Sequence, residues 1–222
     1  VDYDLIKANP KVLMGYSDIT ALLIAIYNQT GLVCFHGPVG ASVYSPFTTE
    51  QFQNVVVKNK KSLTIERPKE WKEISSETYQ INQISAGTAE GKIVGGNLSI
   101  LCSLLGTPFD VDYDDKIVFI EEIGEATYRI DRMLTQLLNA GKFDKCRGIA
   151  LGVFHNCSSK SGPHPEAQLP NMLTERLGGL GIPVGYGFPI GHIDDNMTIP
   201  IGVESKIDTV NMRLSFNASA CK

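Results

Sequence analysis

The chain has 222 residues, 43% of them hydrophobic, which is enough to bury one good core or two small ones. Its formal net charge is a mild −4, and the basic cluster of Lys58, Lys60 and Lys61 is soon followed by acidic residues, so a nucleic-acid partner is not expected. No apolar run is long enough to span a bilayer, no start resembles a signal peptide, and five scattered cysteines (Cys34, Cys102, Cys146, Cys157, Cys221) suit free thiols in a reducing cytoplasm better than a disulfide framework.

The first elements read as strand, sharp turn and helix. Residues 12–14 are a short apolar run of the kind buried in a parallel sheet. Residues 15–18 break it, and 19–27 carry a helical apolar pattern that Gly31 stops. Residues 32–35 look like the next strand, ended by His36-Gly37-Pro38, and the whole is α/β layering. From about residue 45 to 90 the chain turns polar, with small strands or a linker suggested at 62–65 and 73–74. Apolar density rises again from Gly91. Residues 92–94 lead into Gly95-Gly96-Asn97 and a helix over 98–105, and 116–120 is a buried strand. Residues 128–138 form an amphipathic helix with Tyr128, Met133, Leu134, Leu137 and Leu138 on or near one face. Strands are predicted at 148–154 and 183–187, and the alternation of Val210, Met212, Leu214 and Phe216 predicts a half-exposed antiparallel strand. Two domains joined near residues 45–75 is the simplest account.

Ser17 lies between a buried strand and a helix, where a tight turn presents its Oγ and the first helical N–H groups, beginning with that of Asp18, can stabilise an oxyanion. The turn is like a Gly-x-Ser-x-Gly elbow, except that Ile19 occupies the second glycine position. The alternative is that Ser17 or Asp18 caps the helix. A serine nucleophile needs a general base, and the chain has four histidines. His192 lies in a loop beyond a strand, His36 and His155 end strands, and His164 sits in a polar Ser/Gly/Pro loop; position alone does not choose among them. For an orienting carboxylate, Glu121 directly follows an apolar strand. Glu122 and Glu125 suit a helix start, and Glu125 can pair with Arg129 at i, i+4. Gly95-Gly96-Asn97 can present amides to an anion, which makes Gly96 and Asn97 candidate substrate-binding residues, or it can make a tight, closely packed turn. It lacks the Lys-Ser/Thr of a phosphate-binding loop and the spacing of a dinucleotide site. Cys146, His155, Cys157 and His164 lack zinc-ligand spacing, so no metal is expected.

Taken in order, these segments resemble the LD-carboxypeptidase family. Gly15-Tyr16-Ser17-Asp18-Ile19-Thr20-Ala21-Leu22 is similar to its nucleophile segment, followed by His36-Gly37-Pro38 and Gly95-Gly96-Asn97-Leu98. Phe119-Ile120-Glu121-Glu122-Ile123-Gly124-Glu125, continuing through Tyr128-Arg129-Ile130-Asp131-Arg132-Met133-Leu134, resembles its glutamate segment. Residues 185–202, with Gly191-His192 and Ile199-Pro200-Ile201-Gly202, resemble its histidine segment. The resemblance implies a triad of Ser17 as nucleophile, His192 as base and Glu121 as orienting carboxylate, with the Asp18 amide as one oxyanion donor; Glu122 falls where the family varies. It implies a flavodoxin-like N-terminal domain, related to class I glutamine amidotransferases, over residues 1–50. A linker over 51–75 and a swivelling C-terminal β/β/α domain over 76–222 would follow, so that the triad bridges the two domains. The implied reaction is hydrolysis of an L,D-peptide bond, releasing terminal D-alanine from murein tetrapeptide, without metal or organic cofactor, in a protein expected to dimerise with itself. Two rivals stand beside it. One is a peptidase like the microcin C immunity enzymes, which cleave peptidyl-nucleotides and for which Trp71 would offer an aromatic platform. The other is a non-catalytic ligand-binding protein. The resemblance also implies residues ahead of the serine segment, including a Gly-Gly-Tyr stretch giving a second oxyanion contact. The chain is therefore expected to be a fragment, weak or inactive alone; equal hydrolysis by a longer version would contradict that.

Overall fold

The computed structural model describes residues 1–66, 68, 82–157, 165–217, 219 and 220. Helix α1 (Tyr3–Ala8) precedes a two-residue strand β1 (Met14–Gly15), a 3-10 turn (Ser17–Ile19) and α2 (Thr20–Thr30), whose C-cap is Gly31. Leu23, Ile24, Ala25 and Ile26 of α2 are buried, which explains why this helix needs little amphipathic contrast. Strand β2 (Phe35–His36) pairs in parallel with β1. Then come α3 (Pro46–Phe52), which continues as a π-helical turn over Gln53–Val57, and β3 (Leu63–Ile65).

The C-terminal part is built on β4 (Asn82–Ser85), β5 (Thr88–Asn97), α4 (Leu98–Leu104), β6 (Lys116–Ile123), α5 (Thr127–Asn139), β7 (Gly148–His155), α6 (Pro165–Leu177) and β8 (Val184–Tyr186). Three short strands close it: β9 (Ile199–Pro200), β10 (Glu204–Asp208) and β11 (Arg213–Phe216). Among the described residues one sheet has eight strands in the order β3-β11-β10-β5-β6-β7-β8-β4. Its four central strands, β5 to β8, are parallel, and the outer ones join antiparallel. Residues 117–120 and 149–151 are fully buried, as unbroken apolar runs must be when helices cover both faces of a parallel sheet. The mixed α/β class expected from the sequence is thus the one observed. A second sheet, β1-β2-β9, crosses the expected division, since β9 comes from the histidine segment and pairs antiparallel with β2.

Several elements escape the sequence patterns, among them α3, α6 and β10. The stretch 51–75 is not merely a linker: its described part ends the α3 helix and supplies β3, which pairs with β11 at one edge of the large sheet. The Ser45-Pro46 pair was the missed signal for α3, because serine caps and proline suits the first helical position. Helix α6 buries Leu169, Leu173 and Leu177 at helical spacing despite Pro170 in its interior. Strand β10 alternates, with Ser205 and Ile207 inside, but is too short and polar to stand out. In β11 Leu214 and Phe216 are buried as the alternation requires, whereas Val210 lies in the preceding turn. The strand expected at 73–74 lies outside the described residues. No helix among them is long and apolar enough to cross a membrane.

Candidate active site

Ser17 opens the 3-10 turn between β1 and α2 with φ 61, a left-handed conformation that costs a non-glycine residue about 1–2 kcal/mol. The N-cap positions of this turn and of α2 are Tyr16 and Ile19, and neither makes a side-chain cap bond. Helix capping therefore does not account for Ser17. The serine sits at the tip of the turn, half-buried, with the Asp18 N–H among the helical donors that have no intrahelical acceptor. Close packing fixes the turn from behind. Thr20 is fully buried, its Oγ1 accepts from the Asn97 N–H (3.2 Å), and Gly96 lies against it.

Glu121 and His192 meet across 71 residues of sequence: Nδ1 of His192 lies 2.8 Å from Oε2 of Glu121. Glu121 emerges at the carboxyl end of β6 and is fully buried, while His192 keeps a little exposure. Burial pushes the Glu121 carboxyl up from its ordinary value, and the hydrogen bond and charge of His192 pull the other way. The pairing leaves Nε2 of His192 as the ring nitrogen free to face a substrate. Tyr16, the neighbour of Ser17, packs edge-on against the His192 ring with centroids 4.8 Å apart, which brings the serine turn to the histidine.

Two glycines make this geometry possible. Strand β7 carries a bulge opposite Ile120–Glu122, and there the Val153 N–H turns away from the sheet to the Ile190 carbonyl (2.9 Å). A Cβ on Gly152 would sit 2.4 Å from that carbonyl oxygen, so only glycine lets the histidine loop lie this close. Gly191, at φ 123, lets the loop pass over Glu121; a Cβ there would meet Oε2 at 2.9 Å.

The neighbouring carboxylate has a different task. Each oxygen of Glu122 accepts two donors: Oε1 from Asn97 Nδ2 (3.0 Å) and the Ile123 N–H (2.8 Å), Oε2 from the Ser99 N–H (2.9 Å) and Ser99 Oγ (2.6 Å). Glu122 therefore binds the start of α4, not α5. Asn97 caps α4 by accepting from the Ile100 N–H, so its side chain is fully engaged within the fold, and Gly96 serves close packing against Thr20. Gly95-Gly96-Asn97 is the carboxyl end of β5 and not a turn, and of the two roles open to it these contacts favour close packing. Because both Glu122 oxygens accept, even Glu122→Gln turns an amide N–H₂ toward two donors. We expect it to lose about 2 kcal/mol of stability or more, read as a lower urea midpoint.

The other histidines fall elsewhere. His36 is fully buried behind Tyr16, edge-on to Phe119 (5.0 Å), and neither of its ring nitrogens has a hydrogen-bond partner among the described residues. Burial, helped by the charge of His192, pushes its pKa down to about 3, so it stays neutral and out of the cleft. His155 ends β7, where its carbonyl accepts from the Gly124 N–H. His164, Trp71 and Cys221 lie outside the described residues. Glu125 pairs with Arg129 (3.3 Å) as the i, i+4 spacing suggested. Among the described residues no group of three or more His, Cys, Asp or Glu side chains gathers as metal ligands would.

A cavity of about 250 Å³ opens beside His192, lined by Tyr16, Pro38, Ser42, Val43 and Asp194 among others. A larger hollow of about 770 Å³ lies at the amino ends of the parallel strands, by Glu90, Asp115, Arg147 and Pro183. It is remote from Glu121 and His192, whereas sheets of this kind bind ligands at the carboxyl ends of their strands.

Against known proteins, residues 90–207 match the LD-carboxypeptidase C-terminal domain and residues 1–37 the LD-carboxypeptidase N-terminal domain. A Bacillus subtilis protein named "Probable murein peptide carboxypeptidase" is 37% identical over 214 residues, covering 94% of this chain and 63% of that protein. The chain thus spans less than two thirds of that relative's length. The Escherichia coli microcin C7 self-immunity protein MccF is 32% identical over 240 residues, covering 97% of this chain and 68% of that protein. The solved structure of MccF in complex with glutamyl sulfamoyl guanosine superposes with a TM-score of 0.83 at 30% identity, over 100% of this chain and 72% of that one. A muramoyltetrapeptide carboxypeptidase from Oxalobacter formigenes gives 0.79 at 27% identity, over 97% and 71%.

Proposed function

Since the chain belongs to the LD-carboxypeptidase family, we propose that it carries the machinery of a serine carboxypeptidase that hydrolyses an L,D-peptide bond and releases terminal D-alanine from murein tetrapeptide. The observation that carries this reading is the buried Glu121–His192 pair, 2.8 Å apart, set against the strained Ser17 turn. Ser17 Oγ attacks the carbonyl carbon of the scissile bond while His192 Nε2 takes its proton. Glu121 holds the Nδ1–H tautomer and offsets the imidazolium that forms. The carbonyl oxygen becomes an oxyanion and the Asp18 N–H donates to it. Collapse breaks the C–N bond, and His192 returns its proton to the departing amine. Water then attacks the acyl-serine by the same route, freeing the shortened peptide and restoring Ser17. The buried free thiols Cys34, Cys146 and Cys157 suit a reducing, cytoplasmic setting for this chemistry.

The test is incubation with an L,D-terminated tetrapeptide and, separately, with an aminoacyl-sulfamoyl nucleoside, followed by mass spectrometry. Release of free D-alanine from the first is the expected result. The likeness to MccF favours a second reading, a peptidase of nucleotide-linked amino acids. Cleavage of the second substrate alone would establish that one and overturn the first.

A further inference from the structure

Side-chain hydroxyls at a helix start commonly bond to backbone groups close by in sequence. Thr48 does not. It stands three positions after the cap residue Ser45 of α3, is fully buried, and spends its hydroxyl on a segment about 150 residues away in sequence. Its Oγ1 accepts from the Asn196 N–H (2.9 Å) and donates to the Asp194 carbonyl (2.6 Å), with the Asn196 carbonyl at 3.2 Å. Asn196 is itself buried and passes the connection on, its Oδ1 accepting from the Gly191 N–H (3.1 Å). Gly191 is the residue before His192. Ser45 completes the attachment: its Oγ accepts from the Thr48 N–H (3.1 Å) and donates to Asp195 Oδ1 (2.5 Å).

The histidine loop is therefore held on three sides. The β7 bulge holds Ile190, Glu121 holds the ring, and α3 holds residues 194–196. The Met197 N–H closes its base on the Pro189 carbonyl (2.7 Å). Of these attachments, only α3 lies in the part of the chain that also carries Ser17; that part meets the histidine segment again at the Tyr16 ring and at the β2–β9 pairing. The bulge and Glu121 can fix the ring relative to the large sheet, but they cannot set its Nε2 against the serine turn.

We propose that Thr48 is a positioning residue for the reaction, which sets His192 against Ser17 through Asn196 and Gly191. This rests on the reading of His192 as the general base. Misplacing a reacting group by about 1 Å costs on the order of 100-fold in rate, and Gly191 in its left-handed region has the freedom to allow such a shift.

The test compares Thr48→Val, which keeps the shape and loses both bonds, with Thr48→Ser, which keeps the hydroxyl. Turnover of the L,D-peptide is measured together with the proton resonance of His192 Nδ1–H. Thr48→Val is expected to lower kcat about 10- to 100-fold with KM little changed, and to shift or broaden that resonance. Thr48→Ser should recover most of both. If Thr48→Val does not fold, Asn196→Ala acts on the Gly191 N–H directly and should show the same pattern. Folded Thr48→Val or Asn196→Ala protein with parental kcat and an unshifted resonance would overturn the proposal. So would a Thr48→Ser variant as impaired as Thr48→Val, which would make bulk packing the cause. Full activity in His192→Ala would instead sink the reading of the base, and the resonance would still decide whether Thr48 orders the loop.

Discussion

Glu121→Gln is expected to lower kcat about 10⁴-fold while leaving the protein at least as stable at neutral pH. The loss of rate follows from the 2.8 Å contact with His192 Nδ1. A neutral amide neither enforces the Nδ1–H tautomer nor offsets an imidazolium, so His192 is left a poor base. The stability effect has the opposite sign, because the Glu121 carboxyl is raised above its ordinary value of 4.5, chiefly by burial. An acid raised in this way holds its proton more tightly in the folded chain. Its contribution to stability is complete below the unfolded value and is lost as pH rises through the folded one. At neutral pH the ionised group therefore costs stability, and its Oε1 has no hydrogen-bond partner among the described residues. Glutamine never ionises. Calorimetry should find the Glu121→Gln melting midpoint equal to or above the parent at pH 7, with the advantage shrinking toward pH 4. A clearly lower midpoint at pH 7 would mean that pairing with His192 outweighs the cost of burial.

Ser17→Ala is expected to have the larger effect on rate, a fall in kcat of about 10⁶-fold, since the nucleophile of a serine hydrolase acts as a unit with its base. It should hardly alter stability, because alanine meets the same penalty at φ 61 and the Ser17 hydroxyl makes no hydrogen bond among the described residues. Ser17→Gly relieves the left-handed strain and should raise the unfolding free energy by about 1 kcal/mol, read from the urea midpoint. Inactivation with unchanged or increased stability is what a strained functional position predicts. A helix cap would behave in the opposite way, losing stability on replacement.

These two residues also show what could be read from sequence. Ser17 was visible as a serine between an apolar strand and a helix, and Glu121 as a carboxylate that surface placement explained poorly. Both lie at ends of elements whose apolar patterns are strong, because the core strands are covered on both faces. The choice of His192 over His36 came from resemblance. Nothing local distinguishes a strand-end histidine behind Tyr16 from a loop histidine brought to Glu121 by a bulge in another strand. Thr48 was invisible for the same reason. Its partners are nearly 150 positions away, and its helix lies in a stretch whose polarity suggested a linker. The sequence suits Glu122 to a helix start, but the helix it serves is the one before β6 in sequence rather than the one after. That reversal depends on the parallel pairing of β5 with β6, which places Asn97 beside Glu121. Helix α6 was hidden by Pro170 and by the Gly/Pro/Ser-rich residues before it.

The central claim is that Ser17 forms a covalent acyl intermediate. Mapping the site of a fluorophosphonate adduct by peptide mass spectrometry tests it most directly. A single adduct on Ser17 is expected, formed slowly in Glu121→Gln and absent in Ser17→Ala. An unmodified Ser17 in protein that still releases D-alanine, or D-alanine release that survives Ser17→Ala, would contradict it.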